Sequence, residues 1–513
     1  MPKTPYVPRQ TQLSASYSGG SIASGKLYPS TPRTVTQTNI KSLRQVKSKR
    51  SFKFSRPKWM TKRFLIIAGV ISCIVIIAAI VIPIAVIFRR GTSATVTTTT
   101  APTLVVAYWG FDQNAYELYG NYNGTTNCGS CQYSTTSYFG GYFFYVYGVG
   151  YYMQVPATSY FNLNSRSFTF EAWIYLQSLS VGDQPIFSQC TCTTCSNQCL
   201  VLMIRSSKLF MTFTYNDLSG TTTLATGTWY RVTFVYNYYT YQQIIYIDGV
   251  QDAVRTSSSH YLGTNGSMYF GYSPQLPSNY YYGFIDSVTL SSTAKTSTQV
   301  LNDATVIFYY SFDQPSPYYD NGPYHLNYTS ANNLAITSGK SGQAIRSTST
   351  SSYLTICCWG TIGYPTTRSL SAAIWFNPSS INGGVFVYSQ NGINLLGLTY
   401  SGQIIAQIYA YQPVQTYYPI IGSFATISTW THVAFTFSVT NGLILYINGV
   451  AQGSITGITQ YYWASNQVSL QLGYGNGNQY GYIPGYGFQG TLDEFYIYRR
   501  ELSSSDVLTL ASI

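Results

Sequence analysis

The sequence predicts an all-β protein of two tandem jelly-roll sandwiches, preceded by one transmembrane helix and a disordered basic tail. Three observations lead to this prediction. Five sequence blocks recur in one order, three of them at a spacing of 201 or 202 residues, apolar and polar residues alternate inside the blocks, and one run of 25 residues carries no charge. Alternation of this kind is typical of strands with one buried face.

The repeat divides the second part of the chain into two similar halves. Asp112 and Asp313 are 201 residues apart, and so are Trp229 and Trp430. The paired blocks are VVAYWGFD (105–112) with VIFYYSFD (306–313), RSFTFEAWIYL (166–176) with RSLSAAIWFNP (368–378), GTWYRVTFVYN (227–237) with STWTHVAFTFS (428–438), IIYIDGVQ (244–251) with LILYINGVAQ (443–452), and YYGFIDSVTLSS (281–292) with FQGTLDEFYIYRR (488–500). This regularity indicates a tandem duplication.

Local signals place strands, turns and two short helices. Asp-Gly in IDGV and Asn-Gly in INGV lie between apolar runs, which is a strong hairpin signal because both turn residues need a positive φ. Helical patterns occur only near 292–304 and 502–512 outside the apolar run. Many short strands with regular turns are typical of a sandwich or jelly roll.

The apolar run Phe64–Phe88 is long enough to span a bilayer and too uniformly apolar for a buried core helix. It lies too far along the chain for a cleaved signal, so we interpret it as a signal-anchor. Lys and Arg are concentrated before it, which predicts a cytoplasmic N-terminus and an extracellular C-terminus at the plasma membrane. The expected organisation is a disordered tail (1–62), the helix (63–88), a Thr-rich extracellular linker (89–102) and two domains (103–303 and 304–513).

The positive charge belongs to the tail alone. Residues 1–63 hold 14 Lys and Arg and no Asp or Glu, whereas residues 91–513 hold 11 basic against 15 acidic residues. A nucleic-acid partner is therefore not expected, because no basic face or base-reading motif accompanies the folded part. The cluster near the membrane either fixes the topology or also binds anionic lipid headgroups.

The motifs in their order resemble the laminin G-like domains of the concanavalin A-like lectin/glucanase superfamily. The matching elements are FD near the start, FTFEAW, WTHVAFTF, LYINGV and FQGTLDEFYIYRRELS. The resemblance covers two copies, over roughly residues 103–513, and implies a two-sheet jelly roll of about a dozen strands for each. It does not fix the ligand, since one fold hosts many functions.

The residues argue against an enzyme. A glycoside hydrolase needs two carboxylates at a fixed separation. Glu171 aligns with Ala373, and Asp493 and Glu494 are adjacent and are expected to point to opposite faces of their strand. His432 aligns with Arg231, which argues against a catalytic triad. We expect no catalytic residues and no catalytic cofactor.

A structural calcium ion is the metal that the resemblance suggests, because related domains often hold one between the loop after the first strand and the last strand. The candidate ligands are Asp320, Asn321 and Asp493 in the second copy and Glu117, Asn121 and Asp286 in the first. Calcium prefers such oxygen ligands. The alternative is that Asp320-Asn321-Gly322 is a turn and Asp493 caps local backbone.

Eight cysteines follow the apolar run, an even number that suits an oxidising compartment. They are Cys128, Cys131, Cys190, Cys192, Cys195, Cys199, Cys357 and Cys358. We expect disulfides rather than a metal centre, with the connectivity left open; Cys357 and Cys358 form a vicinal bridge, pair elsewhere or stay free. Asn-X-Ser/Thr sequons at Asn123, Asn265 and Asn327 predict extracellular glycans.

Tyrosine is far more frequent than a core requires, with 52 in the chain, and it recurs in two Gly- and Asn-containing loops, SNYYYGF (278–284) and GYGNGNQYGYIPGYGF (473–488). Such loops suit sugar rings and protein contacts equally. The candidate ligand residues are Tyr280, Tyr281, Tyr282, Tyr474, Tyr480, Tyr482 and Tyr486. Alternatively, Tyr replaces charged residues on strand faces.

These observations predict a single-pass cell-surface protein for adhesion or recognition, whose paired extracellular domains bind a glycan or an extracellular protein. The first alternative is a structural ectodomain that self-associates through Tyr-rich faces. A membrane-anchored glycan-active enzyme is the remaining alternative, and the missing carboxylate pair argues against it.

Overall fold

A computed structural model describes residues 106–127, 133–134, 141–159, 161–179, 182–257, 259–326, 328–356, 367–390, 393–462 and 469–513. Residues 99–513 form one compact unit. The predicted tail, membrane span and linker lie outside the described residues. Within the described part, no helix has the length and apolar character needed to cross a membrane.

The first domain consists of short antiparallel strands. Its strands are β1 Val106–Trp109, β2 Thr125–Asn127, β3 Tyr133–Ser134, β4 Phe143–Tyr147, β5 Tyr152–Val155, β6 Phe168–Leu176, β7 Gln184–Cys190, β8 Cys199–Arg205, β9 Lys208–Thr212, β10 Asp217–Ser219, β11 Trp229–Asn237, β12 Gln242–Ile247, β13 Val250–Thr256, β14 Met268–Phe270 and β15 Tyr282–Ser291. A 3₁₀ turn, Ala157–Ser159, follows β5. Helix α1, Ser297–Thr305, leads into the second domain, so the expected boundary between 303 and 304 lies inside a helix.

The second domain repeats this pattern. Its strands are β16 Val306–Tyr310, β17 Tyr328–Asn332, β18 Leu334–Ser338, β19 Gln343–Ser347, β20 Tyr353–Ile356, β21 Leu370–Pro378, β22 Gly384–Ser389, β23 Ile393–Leu398, β24 Gln403–Gln412, β25 Thr416–Phe424, β26 Thr431–Ser438, β27 Gly442–Ile447, β28 Val450–Ile455, β29 Gln460–Tyr461, β30 Leu470–Leu472 and β31 Gly490–Tyr498. Helix α2, Ser504–Leu510, follows β31. The two helices predicted near 292–304 and 502–512 are confirmed.

Each domain is a sandwich of two sheets. In the first, sheet A1 has the order β13-β12-β11-β6-β15-β4-β3 with β1 on β15, and sheet B1 has the order β10-β9-β8-β7-β14-β5-β2. In the second, sheet A2 has the order β18-β19-β31-β21-β26-β27-β28 with β16 on β31, and sheet B2 has the order β17-β20-β30-β22-β23-β24-β25 with β29 on β24. The all-β fold of two tandem jelly-roll-like domains is therefore confirmed.

The two Asx-Gly hairpins have similar backbone angles and equivalent hydrogen bonds. Asp248 and Gly249 have φ of 50° and 84°, and Asn448 and Gly449 have φ of 48° and 79°, as the predicted turns require. The Asp248 carboxylate accepts the backbone N–H of Arg231 at 3.0 Å, and the Asn448 side chain accepts that of His432 at 2.9 Å. The predicted alignment of Arg231 with His432 is thus confirmed.

In each A sheet, the strand that comes last along the chain, β15 or β31, carries a β-bulge. Asp286 lies opposite Trp173 and Thr289 opposite Glu171, with the register shift between them. In the second domain Asp493 lies opposite Trp375 and Tyr496 opposite Ala373. The extra residues at the bulges, Ser287 and Glu494, have positive φ.

The bulge corrects one expectation. Two adjacent strand residues point to opposite faces only in a regular strand. Because one residue is inserted, Asp493 and Glu494 both lie on the face of Trp375, where the Glu494 carboxylate accepts a hydrogen bond from the Tyr496 hydroxyl at 3.0 Å. The prediction that they face opposite sides was wrong.

Candidate functional site

The outer face of sheet A1, which points away from the first domain's core, is divided into an aromatic end and a charged middle. Strand alternation explains this division: Phe170, Ala172, Ile174 and Leu176 of β6 point into the core. Glu171, Trp173 and Tyr175 therefore point outward. The second domain covers the middle of this face, since Trp173 packs within its core cluster.

The aromatic end is a continuous cluster, which we call the aromatic face. It consists of Phe143, Tyr145, Tyr147, Tyr175, Trp229, Tyr282 and Phe284. The Phe284 ring is stacked on that of Phe143 at 4.1 Å and on that of Tyr175 at 4.8 Å. Trp229 lies 5.5 Å from Tyr175, so rings from several strands form one surface.

The outer part of the aromatic face combines rings with hydrogen-bonding groups. Tyr147 lies 5.2 Å from both Tyr145 and Tyr282, and its side chain is 52% exposed. The Tyr145 hydroxyl donates to the side-chain oxygen of Gln177 at 3.0 Å. Flat apolar surfaces next to amide and hydroxyl groups are what a sugar ring or a protein partner contacts.

Of the predicted ligand tyrosines in the first domain, Tyr282 belongs to the aromatic face. Tyr281, its neighbour on the same chain, points the other way and is fully buried, with its hydroxyl donating to the Tyr175 carbonyl at 2.9 Å. Burial raises the pKa of Tyr281 well above its usual value. The proposal of Tyr281 as a ligand contact is corrected to a core role. Tyr280 stacks on Tyr272 at 5.2 Å, on another surface.

The loop 473–488 of the second domain is only partly available to a ligand. Tyr480 stacks against buried Tyr388 at 5.9 Å and helps cover sheet B2. Tyr474 is half-buried, whereas Tyr482 and Tyr486 are exposed. Tyr486 contacts the exposed ring of Tyr400 at 6.0 Å.

Most of the aromatic face was not predicted from the sequence, because its rings lie on strands, whereas the ligand tyrosines were predicted in loops. The signal was present in FFYVY of β4, where both alternating sets of residues are apolar. Core packing alone does not explain aromatic residues at the outward positions of a strand. The pairing of Tyr145 with Phe284 and of Phe284 with Tyr175 across three strands is a tertiary feature.

The second domain's candidate calcium ligands bind backbone groups. The Asp320 carboxylate accepts N–H groups from Tyr309 at 2.8 Å and from Gly322 and Leu326 at 2.9 Å. Burial raises the pKa of Asp320 to about 7. The Asn321 side chain donates to the Ser311 hydroxyl at 2.8 Å.

Asp493 has a similar set of partners. It accepts backbone N–H groups from Lys340 at 2.7 Å, Ser341 at 3.1 Å and Glu494 at 2.9 Å. Burial raises the pKa of Asp493 to about 7. These contacts match the alternative of a turn and a backbone cap rather than one shared cation site.

The first domain's candidates separate in the same way. The Glu117 carboxylate accepts backbone N–H groups from Tyr108 at 3.3 Å and from Asn121 at 3.0 Å. Asp286 accepts the Ser287 hydroxyl at 3.2 Å, and burial, followed by the charge of Asp112, raises its pKa well above the usual value. Among the described residues no group of three His, Cys, Asp or Glu could hold a metal. Calcium binding stays a prediction.

Two disulfides support the predicted use of cysteine. Cys190 bonds Cys199, and Cys192 bonds Cys195. The remaining predicted disulfide residues, Cys128, Cys131, Cys357 and Cys358, lie outside the described residues, as does the sequon Asn327. The other two sequon residues, Asn123 and Asn265, are exposed.

Three solved structures illustrate the low similarity of this chain to known structures. The binding domain of Paraclostridial Mosquitocidal Protein 1 is 17% identical with a TM-score of 0.33, over 41% of this chain and 52% of that chain, about half its length. Domain 4 of the arabinanase AbnA from Geobacillus stearothermophilus, in complex with arabinotriose, is 21% identical (TM-score 0.28; 40% and 98%). Domains LG4-5 of mouse laminin alpha1 are 11% identical (TM-score 0.23; 69% and 88%). No curated protein matches the sequence.

The family match covers both halves of the duplication. A laminin G-type model of the concanavalin A-like lectin/glucanases superfamily matches residues 148–301 and 348–508, more than half of the chain. The two matched segments correspond to the two sandwiches. The chain therefore belongs to the concanavalin A-like lectin/glucanases superfamily, with two laminin G-like domains in tandem.

Proposed function

We propose that this chain is a cell-surface recognition protein that binds a glycan on the aromatic face of its first laminin G-like domain. The membrane anchor at 63–88 would hold the domains outside the cell, with the N-terminus in the cytoplasm. The proposal assigns binding without catalysis. Its central support is the aromatic face, a set of stacked and partly exposed rings around Phe284.

The rings do not serve the core of the first domain, whose inward positions are already filled by other side chains. Stacked aromatic pairs contribute about 0.5–1.5 kcal/mol each, and Tyr offers a rigid ring with a hydroxyl at little cost in conformational entropy. A planar apolar face of a sugar fits such a surface, while Gln177 and the tyrosine hydroxyls supply hydrogen bonds.

The second domain does not repeat this surface. The row Tyr145–Phe284–Tyr175 of the first domain corresponds to Arg346–Thr491–Asn377 in the second. Since the framework is duplicated and this row of rings is not, the fold does not require the row. This difference supports a binding site at this face in the first domain alone.

Binding of the full-length protein to a glycan array tests the proposal. Tyr147→Ala and Tyr282→Ala each remove a partly exposed ring without emptying the core, so we expect at least a fivefold loss of affinity, about 1 kcal/mol. Tyr400→Ala, which removes a 54% exposed ring from the second domain, is the matched control and should bind as the wild type does.

The same face also suits self-association through tyrosine rings, and the same variants separate the two functions. Sedimentation of the wild-type protein over a range of concentrations measures assembly. Glycan binding that Tyr147→Ala weakens supports recognition. Assembly that Tyr147→Ala abolishes, without any glycan binding, would support the structural alternative and overturn the proposal.

A further inference from the structure

A cleft between the two domains encloses a cavity that is separate from the aromatic face. Its volume is about 290 Å³, and Tyr rings line it from both sides: Tyr108 and Tyr119 of the first domain, and Tyr309, Tyr496 and Tyr498 of the second. An adjoining cavity of about 300 Å³ shares Tyr108 and His325 with it. Ligand sites commonly lie at domain interfaces.

The walls of the cleft are held in place by contacts between the domains. The Tyr108 hydroxyl donates to the Tyr324 carbonyl at 3.1 Å, and the Tyr324 hydroxyl donates to the Asp303 carbonyl at 3.0 Å. The ring of Tyr309 is stacked on that of Tyr496 at 4.3 Å. A ligand would thus enter a formed site.

Glu171 is the unusual residue in this wall. Its side chain is 1% exposed, its Oε2 contacts the Lys295 ammonium, and its Oε1 has no hydrogen-bond partner among the described residues. The nearest guanidinium nitrogen of Arg231 is 3.8 Å from Oε2. A buried carboxylate oxygen without a donor is unfavourable, because it has lost its hydrogen bonds to water. Because Glu171 lines the cleft, this unpartnered oxygen is the atom to which a hydroxyl donor in the cleft would bond.

The charged side chains around Glu171 are paired with one another, which favours a neutral ligand. Glu171 and Asp303 both contact Lys295, the latter at 2.6 Å, and Arg231 lies behind them. These two carboxylates and two cations sum to zero. Burial lowers the pKa of His325, so its imidazole adds no charge at neutral pH. A free anion or cation would gain little here, whereas a neutral donor would bind Glu171.

We propose that this interdomain cleft binds one neutral, hydroxyl-rich ring, the size of a single sugar unit, with a ligand hydroxyl donating to Glu171 Oε1. The tyrosine rings supply the apolar walls, and Asn302 and Asn321 supply polar atoms at the edge. The cavity lies at the small end of ligand pockets, which limits the occupant to about one ring. This site is independent of the aromatic face.

Saturation-transfer NMR on the full-length protein, with a panel of methyl glycosides as the probes, tests the cleft. Tyr119→Ala is the principal variant, because this 61% exposed residue lines the cleft without supporting the fold. Glu171→Gln keeps the shape of the side chain and replaces one oxygen with a donor. We expect each variant to weaken binding of the best probe at least fivefold.

The 80% exposed Tyr239→Ala, outside both sites, is the control and should leave this binding unchanged. Tyr147→Ala reports whether the same probe binds at the aromatic face instead. If no methyl glycoside binds, or if Tyr119→Ala binds as the wild type does, the cleft proposal is wrong. Loss of binding in Tyr147→Ala alone would assign the sugar to the aromatic face and overturn only the cleft. Loss in Tyr119→Ala alone supports the cleft even if the aromatic face fails its own test.

Discussion

The outer faces of sheets A1 and A2 share one framework and differ in what lies on it. In the first domain, Trp173 has Arg231 and Asp286 beside it, and Glu171 is two residues before it. In the second, Trp375 has His432 and Asp493 beside it, and Ala373 replaces Glu171.

What covers each face explains the difference. The second domain packs on the first domain's face, with Arg499 4.7 Å above the Trp173 ring. Helix α2 covers the second face, where Trp375 donates to the Leu510 carbonyl at 3.2 Å within an apolar cluster. The duplication thus keeps the hairpins and bulges, while two positions match the cover of each face: Glu171 and Arg231 lie at the domain interface, and Ala373 and His432 lie on the face that the helix covers.

The largest effect on the free energy of unfolding is expected from removing one member of the buried charged group in the first domain. Arg231→Leu leaves Glu171 facing only Lys295 in a buried site, which should lower the free energy of unfolding by about 3–5 kcal/mol. The double variant Glu171→Ala with Arg231→His installs the second domain's residues and should cost less. Chemical denaturation of the full chain measures both, with the exposed Arg166→Leu as control. A cost below about 1 kcal/mol for Arg231→Leu would contradict this account of the charged face.

His432 should make the second domain sensitive to acid. Burial lowers its pKa to about 4 from an ordinary 6.5. A lowered folded-state pKa means that the stabilisation is present above about pH 6.5 and is lost as the pH falls toward 4, by about 3 kcal/mol. We expect the stability difference between the wild type and His432→Gln to shrink over that interval. A difference that is constant with pH would show that His432 does not titrate in this way.

The cation–π contacts of Trp173 and Trp375 should differ in their contribution to stability, because the contact of Arg499 with Trp173 joins the two domains. Arg499 also lies 3.6 Å from Asp248, whereas Lys340 is 4.6 Å from the Trp375 ring within its own domain. We expect Arg499→Ala to cost about 1–2 kcal/mol and Lys340→Ala about 0.5–1. Thermal and chemical unfolding measure both. The reverse order would mean that the domain interface depends little on Arg499.

The smallest effect is expected from calcium. Backbone N–H groups already contact the carboxylates of Asp320 and Asp493. Replacing EGTA with 2 mM Ca²⁺ should therefore shift the melting temperature by less than about 2 °C. A shift of several degrees that Asp320→Asn removes would establish the predicted calcium site.

The local features of this fold could be predicted from the sequence, because they depend on neighbouring residues. Turn signals predicted the Asp248-Gly249 and Asn448-Gly449 turns, and helix signals predicted α1 and α2. The bulge at Glu494 could not be predicted, because its partner strand is more than a hundred residues away. It reversed the expected orientation of Asp493 relative to Glu494.

The candidate sites were less predictable, because their residues are distant in the sequence and meet only in the folded chain. Tyr282 was identified from its loop, but Tyr145, Tyr175 and Phe284 meet only through strand pairing. Glu171 is an isolated carboxylate in the sequence, and its surroundings come from Lys295 and from the second domain.

Exchanging one row of residues tests the central claim most directly. Tyr145→Arg, Tyr175→Asn and Phe284→Thr together give the first domain the row Arg346, Asn377 and Thr491 of the second. The measurement is the affinity of the full chain for its best array glycan, with thermal unfolding as the check on folding. We predict a folded variant that binds at least about tenfold more weakly. A folded variant with wild-type affinity would contradict the assignment of glycan recognition to the aromatic face.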